Sequence, residues 1–255
     1  MLAYAQMRKA RVVRTGDLRE PLNLSATQER KVLSRLSKAG MIARVWRGVY
    51  LVPPRLPLGG KWSPGEFLAL DTLMATLKGR YQVCGPNAFN RYGWDEQIPN
   101  RMYAYNNRLS GERRVGAVTL MLIRVANARL GGTETLRTPD GAKAVWASRA
   151  RSLVDAVYDW SRFDGIPRGY EWIRKELKAK RVGPAELVRC TLRYGDTGTI
   201  RRMGLLLERE GVAPALLRTL ERALNATSSP IPWLPRAPKR GPISRRWGVV
   251  ANDGS

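Results

Sequence analysis

The sequence predicts an α+β protein, an N-terminal winged helix-turn-helix followed by a larger α+β domain with a helical C-terminal part. Three observations predict it. The stretch "SATQERKVLSRLSKAG" carries a helix start, an apolar stripe, a basic stripe and a helix stop, and two short β-rich runs follow it. Beyond a Pro/Gly-rich segment, helical patterns alternate with β-rich runs such as "AVTLMLI" up to about residue 160. From Gly169 to Leu224 the pattern is helical, punctuated by Gly183-Pro184, Gly195 and Gly211.

Taken in order, an opening helix is expected from about Leu2 to Lys9, and Thr15 and Asp17 start a short second helix carrying Leu18, broken by "EPLNL". Ser25 and Gln28 then stand at capping-box spacing, so that each side chain can satisfy the other's backbone N–H. Val32, Leu33 and Leu36 share one face of this third helix, with Glu29 at its edge. Thr27, Lys31, Ser34 and Lys38 share the opposite face, flanked by Arg30 and Arg35, and Gly40 ends the helix. "MIARV", a turn at "WRG" and "VYLV" read as a hairpin with Arg44, Trp46 and Arg47 on or beside it. Three helices and a basic-tipped hairpin describe a winged helix-turn-helix with the Ser25 helix in the recognition position.

"PPRLPLGGKW" is a linker by composition. Ser63-Pro64-Gly65-Glu66 starts a helix with Pro at its first position, Phe67, Leu70, Leu73, Met74 and Leu77 as its apolar stripe, and Gly79 at its end. Strands follow near Tyr81–Cys84, Arg101–Tyr105, Ala117–Val125 and Lys143–Ala147, then a helix from about Ser148 to Trp160. The expected division is a DNA-binding domain at 1–54, a linker at 55–62, and a second domain at 63–255. That second domain includes the helical segment 169–224 and a basic, Pro- and Trp-containing segment 230–255. The prolines of that last segment forbid regular helix, and it is expected to wrap over the folded body, anchored by Trp233 and Trp247.

Charge narrows the function. In 255 residues there are 45 Lys and Arg against 21 Asp and Glu, a formal net charge of +24, which favours a polyanionic partner. A charged outer face alone is what any solvated helix shows. Here, however, Thr27, Gln28, Arg30 and Lys31 occupy the N-terminal half of the recognition position, where base edges are read, and Ser34, Arg35, Lys38, Arg44 and Arg47 surround it. These nine residues are the candidate DNA contacts. Arg113, Arg114, Arg236, Lys239, Arg240, Arg245 and Arg246 are candidates for further contact with DNA or with an acidic protein partner. Glu29 is the acidic exception on the recognition helix, expected to turn toward Arg or Lys neighbours on its own helix.

Several classes are excluded or disfavoured. There is no histidine, so histidine-dependent triads and histidine-ligated metals are out. Cys84 and Cys190 lack CxxC spacing and read as two buried thiols; no metal or cofactor site is expected. There is no P-loop and no GxGxxG. Pro139-Asp140 with Glu176-x-Lys178 loosely follows the nuclease pattern in which carboxylates hold a divalent metal, but "YEWIRKELKAK" reads as a helix where that motif needs a strand, and ion-paired surface residues explain it better. Asp155 and Asp159, one turn apart, read as a helix-surface feature. No catalytic residue is assigned and the chain is expected not to be an enzyme. "MLAYAQMRKAR" lacks the apolar core of a signal peptide and "AVTLMLI" is too short to span a bilayer, so a cytoplasmic location with no membrane partner is expected.

Four segments together resemble the AbiEi-like antitoxins of the abortive-infection type IV toxin–antitoxin systems: "RVWRGVYLVPP", where Arg47, Gly48, Val49 and Tyr50 look like that family's wing; "YQVCGPNAFNRYGWDEQIPNRMYAY"; "SRARSLVDAV"; and "LPRAPKRGPISRRWGVVAN". Their order and spacing carry the resemblance, to which Gly169–Leu224 contributes little. Cys84 departs from it, standing where a small Ser is more usual. The resemblance implies a repressor-antitoxin of phage defence that binds inverted repeats upstream of its own operon and counteracts a co-encoded nucleotidyltransferase-like toxin, by contact or indirectly. The alternative is a ligand- or protein-responsive transcriptional regulator without a toxin partner. The high charge further implies DNA contacts beyond the winged helix, extending to the C-terminal segment.

Overall fold

The computed structural model describes residues 1–55, 59–226 and 229–254; residues 56–58 of the expected linker lie outside the described residues. Along the chain run α1 (Leu2–Met7), β1 (Val12–Arg14), α2 (Ala26–Lys38), β2 (Ala43–Trp46), β3 (Val49–Leu51), α3 (Glu66–Thr76), β4 (Tyr81–Val83) and α4 (Pro86–Arg91). Then come β5 (Met102–Asn106), β6 (Gly111–Val115), β7 (Val118–Arg124), β8 (Thr133–Arg137) and β9 (Lys143–Ala147). The helices α5 (Arg149–Tyr158), α6 (Trp160–Phe163), α7 (Arg168–Lys178), α8 (Pro184–Tyr194), α9 (Thr197–Arg209) and α10 (Pro214–Glu221) precede β10 (Ile231–Pro232), β11 (Ile243–Ser244) and β12 (Val249–Val250). The architecture is α+β.

Two compact units emerge. The first comprises 1–83, 99–126 and 135–145, and the second 84–98, 127–134 and 146–255. Residues 1–54 therefore share a unit with α3 and most of the larger sheet.

In the first unit, the opening segment builds its own core from Leu2, Ala5, Val13, Leu18, Leu33, Ile42, Tyr50 and Val52, with Leu22, Leu24, Leu36 and Met41 packed against it. Its sheet has the order β1-β3-β2. The β2–β3 hairpin shifts register between Arg44 and Trp46, a bulge of the kind that bends a strand and re-aims its side chains. The larger sheet runs β6-β7-β5-β4-β9-β8, with β5 parallel to β7 and β6 antiparallel to it. The helix α3 lies against β2 and β7.

Three local expectations are corrected here. The second helix is absent: Thr15 to Asn23 is a chain of turns, because the Gly16 and Leu18 N–H groups are taken by the Glu29 carboxylate outside it, while Asp17 within it accepts the Arg14 N–H. The helix after the linker begins at Glu66 with Gly65 as its cap. Ser63 Oγ instead accepts the Ala117 N–H at 2.9 Å, and Lys78, not Gly79, takes the left-handed conformation after it. Strands β1, β6 and β8 have no counterpart in the expected elements.

In the second unit α5 is sequestered from Ala150 to Val157 and packs on α7, α8 and α9. Pro184 opens α8 and Gly195 closes it, and Gly211 follows α9. Asp155 is a correction: it is buried, not on a helix surface, and accepts from Arg151 at 2.9 Å and Arg129 at 3.0 Å. Glu176 is likewise ion-paired but buried, held by Trp94 Nε1 at 2.8 Å, Arg149 at 3.1 Å and Arg181 at 3.0 Å. The C-terminal segment forms a small sheet ordered β10-β12-β11, and both of its tryptophans are buried. The Trp233 ring stacks on Tyr170 at 3.8 Å between centroids, and Tyr170 Oη donates to the Trp233 carbonyl. Burial pushes the Tyr170 hydroxyl far up, so it remains a donor at any working pH. Trp247 Nε1 donates to Glu208 at 2.8 Å.

Candidate nucleic-acid interface

The candidate site is built on α2. Ser25 Oγ accepts the Gln28 N–H at 3.2 Å and Gln28 Oε1 accepts the Ser25 N–H at 2.8 Å, completing the capping box. The helix ends at Lys38, and Gly40 adopts φ 71°, which lets the Met41 N–H reach the Leu36 carbonyl at 2.9 Å. Leu33 is its buried anchor, while Val32 is half-buried.

Glu29, fully buried in the first turn of α2, is what joins this helix to the preceding turn. Its Oε1 accepts from Gly16 N at 2.8 Å and Leu18 N at 3.1 Å, and its Oε2 from Gly16 N at 2.9 Å and Arg19 Nε at 3.1 Å. The carboxylate therefore turns to the Gly16–Arg19 turn, not to its own helix. Burial pushes its pKa up, but the Leu18 and Gly16 amides and the Arg19 guanidinium outweigh this, and the value falls below the ordinary carboxylate range. With its one acid turned inward, the outward face of α2 keeps only basic charges.

Thr27, Gln28, Arg30, Lys31, Ser34, Arg35 and Lys38 are all exposed. Two are partly engaged locally, Gln28 through the cap and Arg30 Nε to the Ala26 carbonyl at 3.1 Å. Lys31, Arg35 and Lys38 make no ion pair with another described residue. In the wing Arg44 and Arg47 are exposed, with Arg44 Nε near the Trp46 carbonyl at 3.4 Å. Gly48 closes the turn at φ 69°, where a Cβ would stand 3.0 Å from Thr15 Oγ1.

The tertiary structure adds what the sequence could not place. Arg113 and Arg114 on β6 line one cleft of about 540 Å³ with Arg44, Val45, Trp46 and Arg47. The Arg113 guanidinium lies 4.4 Å from the centroid of the Trp46 ring, and Arg114, with 77% of its side chain exposed, stands 3.5 Å from Glu112. The C-terminal candidates divide. Arg236 pairs with Asp164 at 2.9 Å, and Arg246 is gripped by Glu208 at 2.6 Å and Glu221 at 3.0 Å. Lys239, Arg240 and Arg245 are exposed and form no ion pair with another described residue. Among the described residues no group of three or more Cys, Asp or Glu could hold a metal, and no helix is long and apolar enough to cross a membrane.

The chain is similar to the crystal structure of the RV2827C protein from Mycobacterium tuberculosis, with a TM-score of 0.57 and 15% identity over 97% of this chain and 88% of that one, a likeness that shows the fold. No curated protein matches the chain. Residues 1–53, the segment carrying α2, the Glu29-bound turn and the wing, match the family model described as "Transcriptional regulator, AbiEi antitoxin".

Proposed function

We propose that this protein is the antitoxin and DNA-binding autorepressor of an abortive-infection type IV toxin–antitoxin system. On this reading α2 enters the major groove of its own operator, an inverted repeat. Thr27, Gln28, Arg30 and Lys31 lie toward base edges, and Ser34, Arg35, Lys38, Arg44 and Arg47 hold phosphates. The rest of the chain counteracts a co-encoded nucleotidyltransferase-like toxin in the cytoplasm. The observation that supports it most is the outward face of α2 in a segment matched by the antitoxin-regulator model, where the one acid is buried and the remaining charges are basic and exposed.

The test is a gel shift with DNA from upstream of the gene across a salt series, using the full chain and its Lys31→Ala and Arg47→Ala variants. Sequence-preferring binding by the parent is expected; Lys31→Ala should weaken it, and Arg47→Ala, which loses a phosphate contact, should show a log–log salt slope shallower by about 0.9. Parental slopes and affinities in both variants would overturn the placement of the interface. Co-expression with the toxin from the neighbouring gene tests the antitoxin half: growth rescue supports it, and a locus without such a gene, or toxicity undiminished, refutes it.

A further inference from the structure

The wing and β6 together line a cleft rich in guanidinium groups. Arg44, Arg47, Arg113 and Arg114 all line it, and among the described residues no carboxylate does. Glu112 sits 3.5 Å from Arg114 but is shared with Arg101 at 3.2 Å. Gathering guanidinium groups of one sign in a single concavity is unfavourable until an anion enters it. The volume, about 540 Å³, falls within the range of about 300–1,000 Å³ typical of ligand-binding clefts.

Trp46 organises the cleft. Its ring supports Arg113 by a cation–π contact, and a guanidinium held flat on an aromatic face keeps its in-plane N–H fork available for the paired oxygens of a phosphate. Trp46 directly follows the wing's bulge, so the feature that bends β2 also helps aim the platform.

We infer that this cleft clamps the phosphodiester backbone of the duplex that flanks the operator half-site, so that the DNA-binding surface runs from α2 across the wing onto β6. The inference rests on the DNA-binding reading above and deepens it. A backbone is favoured over an acidic protein surface because the wing lining one side of the cleft follows α2 directly in the chain, and because four forked donors suit closely spaced phosphates. The contacts are to phosphate, so they add affinity and length of footprint without sequence preference.

The experiment compares the full-length parent with Arg113→Ala and Arg114→Glu on two duplexes, one holding the half-site alone and one extended by about a helical turn on each side. The expected result for Arg113→Ala is a salt slope shallower by about 0.9 on the extended duplex, meaning that each phosphate contact removed eases the affinity loss between 50 and 200 mM salt by about 3.5-fold. Hydroxyl-radical protection should shorten on the extended duplex only, and discrimination between operator and scrambled DNA should stay parental. Arg114→Glu, at a largely exposed position, should weaken the same duplex and so separates the effect from misfolding; Arg113→Lys, which keeps charge but not the fork, should fall between. Unchanged slope and footprint in both variants would overturn the clamp while leaving the α2 interface standing. Unchanged DNA binding with lost toxin rescue would overturn it in favour of an acidic protein surface. A parent that binds no operator DNA would refute the underlying reading instead.

Discussion

Replacing Glu29 by glutamine tests whether one buried carboxylate sets the geometry on which α2 stands. The amide can keep Oε1 where it accepts from Gly16 and Leu18, but it puts an NH2 group in place of Oε2, against the Arg19 Nε–H and the second arm of the Gly16 N–H bond. Hydrogen bonds to a charged acceptor contribute about 1.5–3 kcal/mol each, against about 0.5–1.5 for neutral ones, so two backbone bonds lose about 2 kcal/mol together. The Arg19 side chain is 48% exposed, and solvent screening limits its share to about 0.5 kcal/mol. The expected loss is about 2–3 kcal/mol for Glu29→Gln, about 0.5 for Arg19→Ala, and about 3–5 for Glu29→Ala, which leaves buried amide donors without an acceptor. Amide exchange reads this locally: protection at Gly16 and Leu18 should fall about 30- to 150-fold in the glutamine variant, at about 1.4 kcal/mol per tenfold. The sign of the pH effect follows from the lowered pKa. Stabilisation from Glu29 is fully present above the unfolded value of about 4.3 and is lost as pH falls through the lower folded value, a loss the glutamine variant cannot show. Parental protection in Glu29→Gln, or an Arg19→Ala cost as large, would refute the account of the turn.

Other outcomes follow from the same packing. Gly204→Ala puts a Cβ 2.2 Å from the Trp247 ring, and should cost about 1–3 kcal/mol in thermal unfolding, with a red-shifted tryptophan emission as Trp247 is displaced. Trp233→Ala removes the ring stacked on Tyr170 and should cost about 3–5 kcal/mol by urea denaturation; a loss below 1 would mean that the C-terminal segment is not anchored there. Cys190 is a poor nucleophile because burial pushes its thiol up to about 11, and Cys84 is buried, so a thiol reagent at pH 8 should find no fast-reacting group in the native chain. Cys190 is half-buried, not fully buried as the sequence suggests, so rapid modification there would contradict its raised pKa, and at Cys84 would contradict its burial.

The local decisions were legible in the sequence. Ser25 with Gln28 determines where α2 starts, and Gly40 lets it stop, because a cap and a left-handed residue act within four positions of the helix end. The wing turn at Arg47-Gly48, the breaks at Gly183-Pro184, Gly195 and Gly211, and the basic outer face of α2 were readable for the same reason. What only the tertiary structure decided rests on partners far along the chain. Val12–Arg14 is too short to signal a strand and becomes one by pairing with Val49–Leu51. "GERRV" carries three charges in five residues, an edge-strand composition that hides its alternation until Val118–Arg124 pairs with it. Glu29 reads from sequence as an acid that turns to basic neighbours on its own helix, because its true donors, the Gly16 and Leu18 amides, lie in a turn whose shape exists only once the carboxylate is there. Arg113 and Arg114 were visible as charges, but sequence spacing holds no information about a cleft whose other wall is more than sixty residues away. Charge and capping are properties of neighbouring residues; a site is a property of contacts, and contacts are settled by the free energy of the whole packed unit.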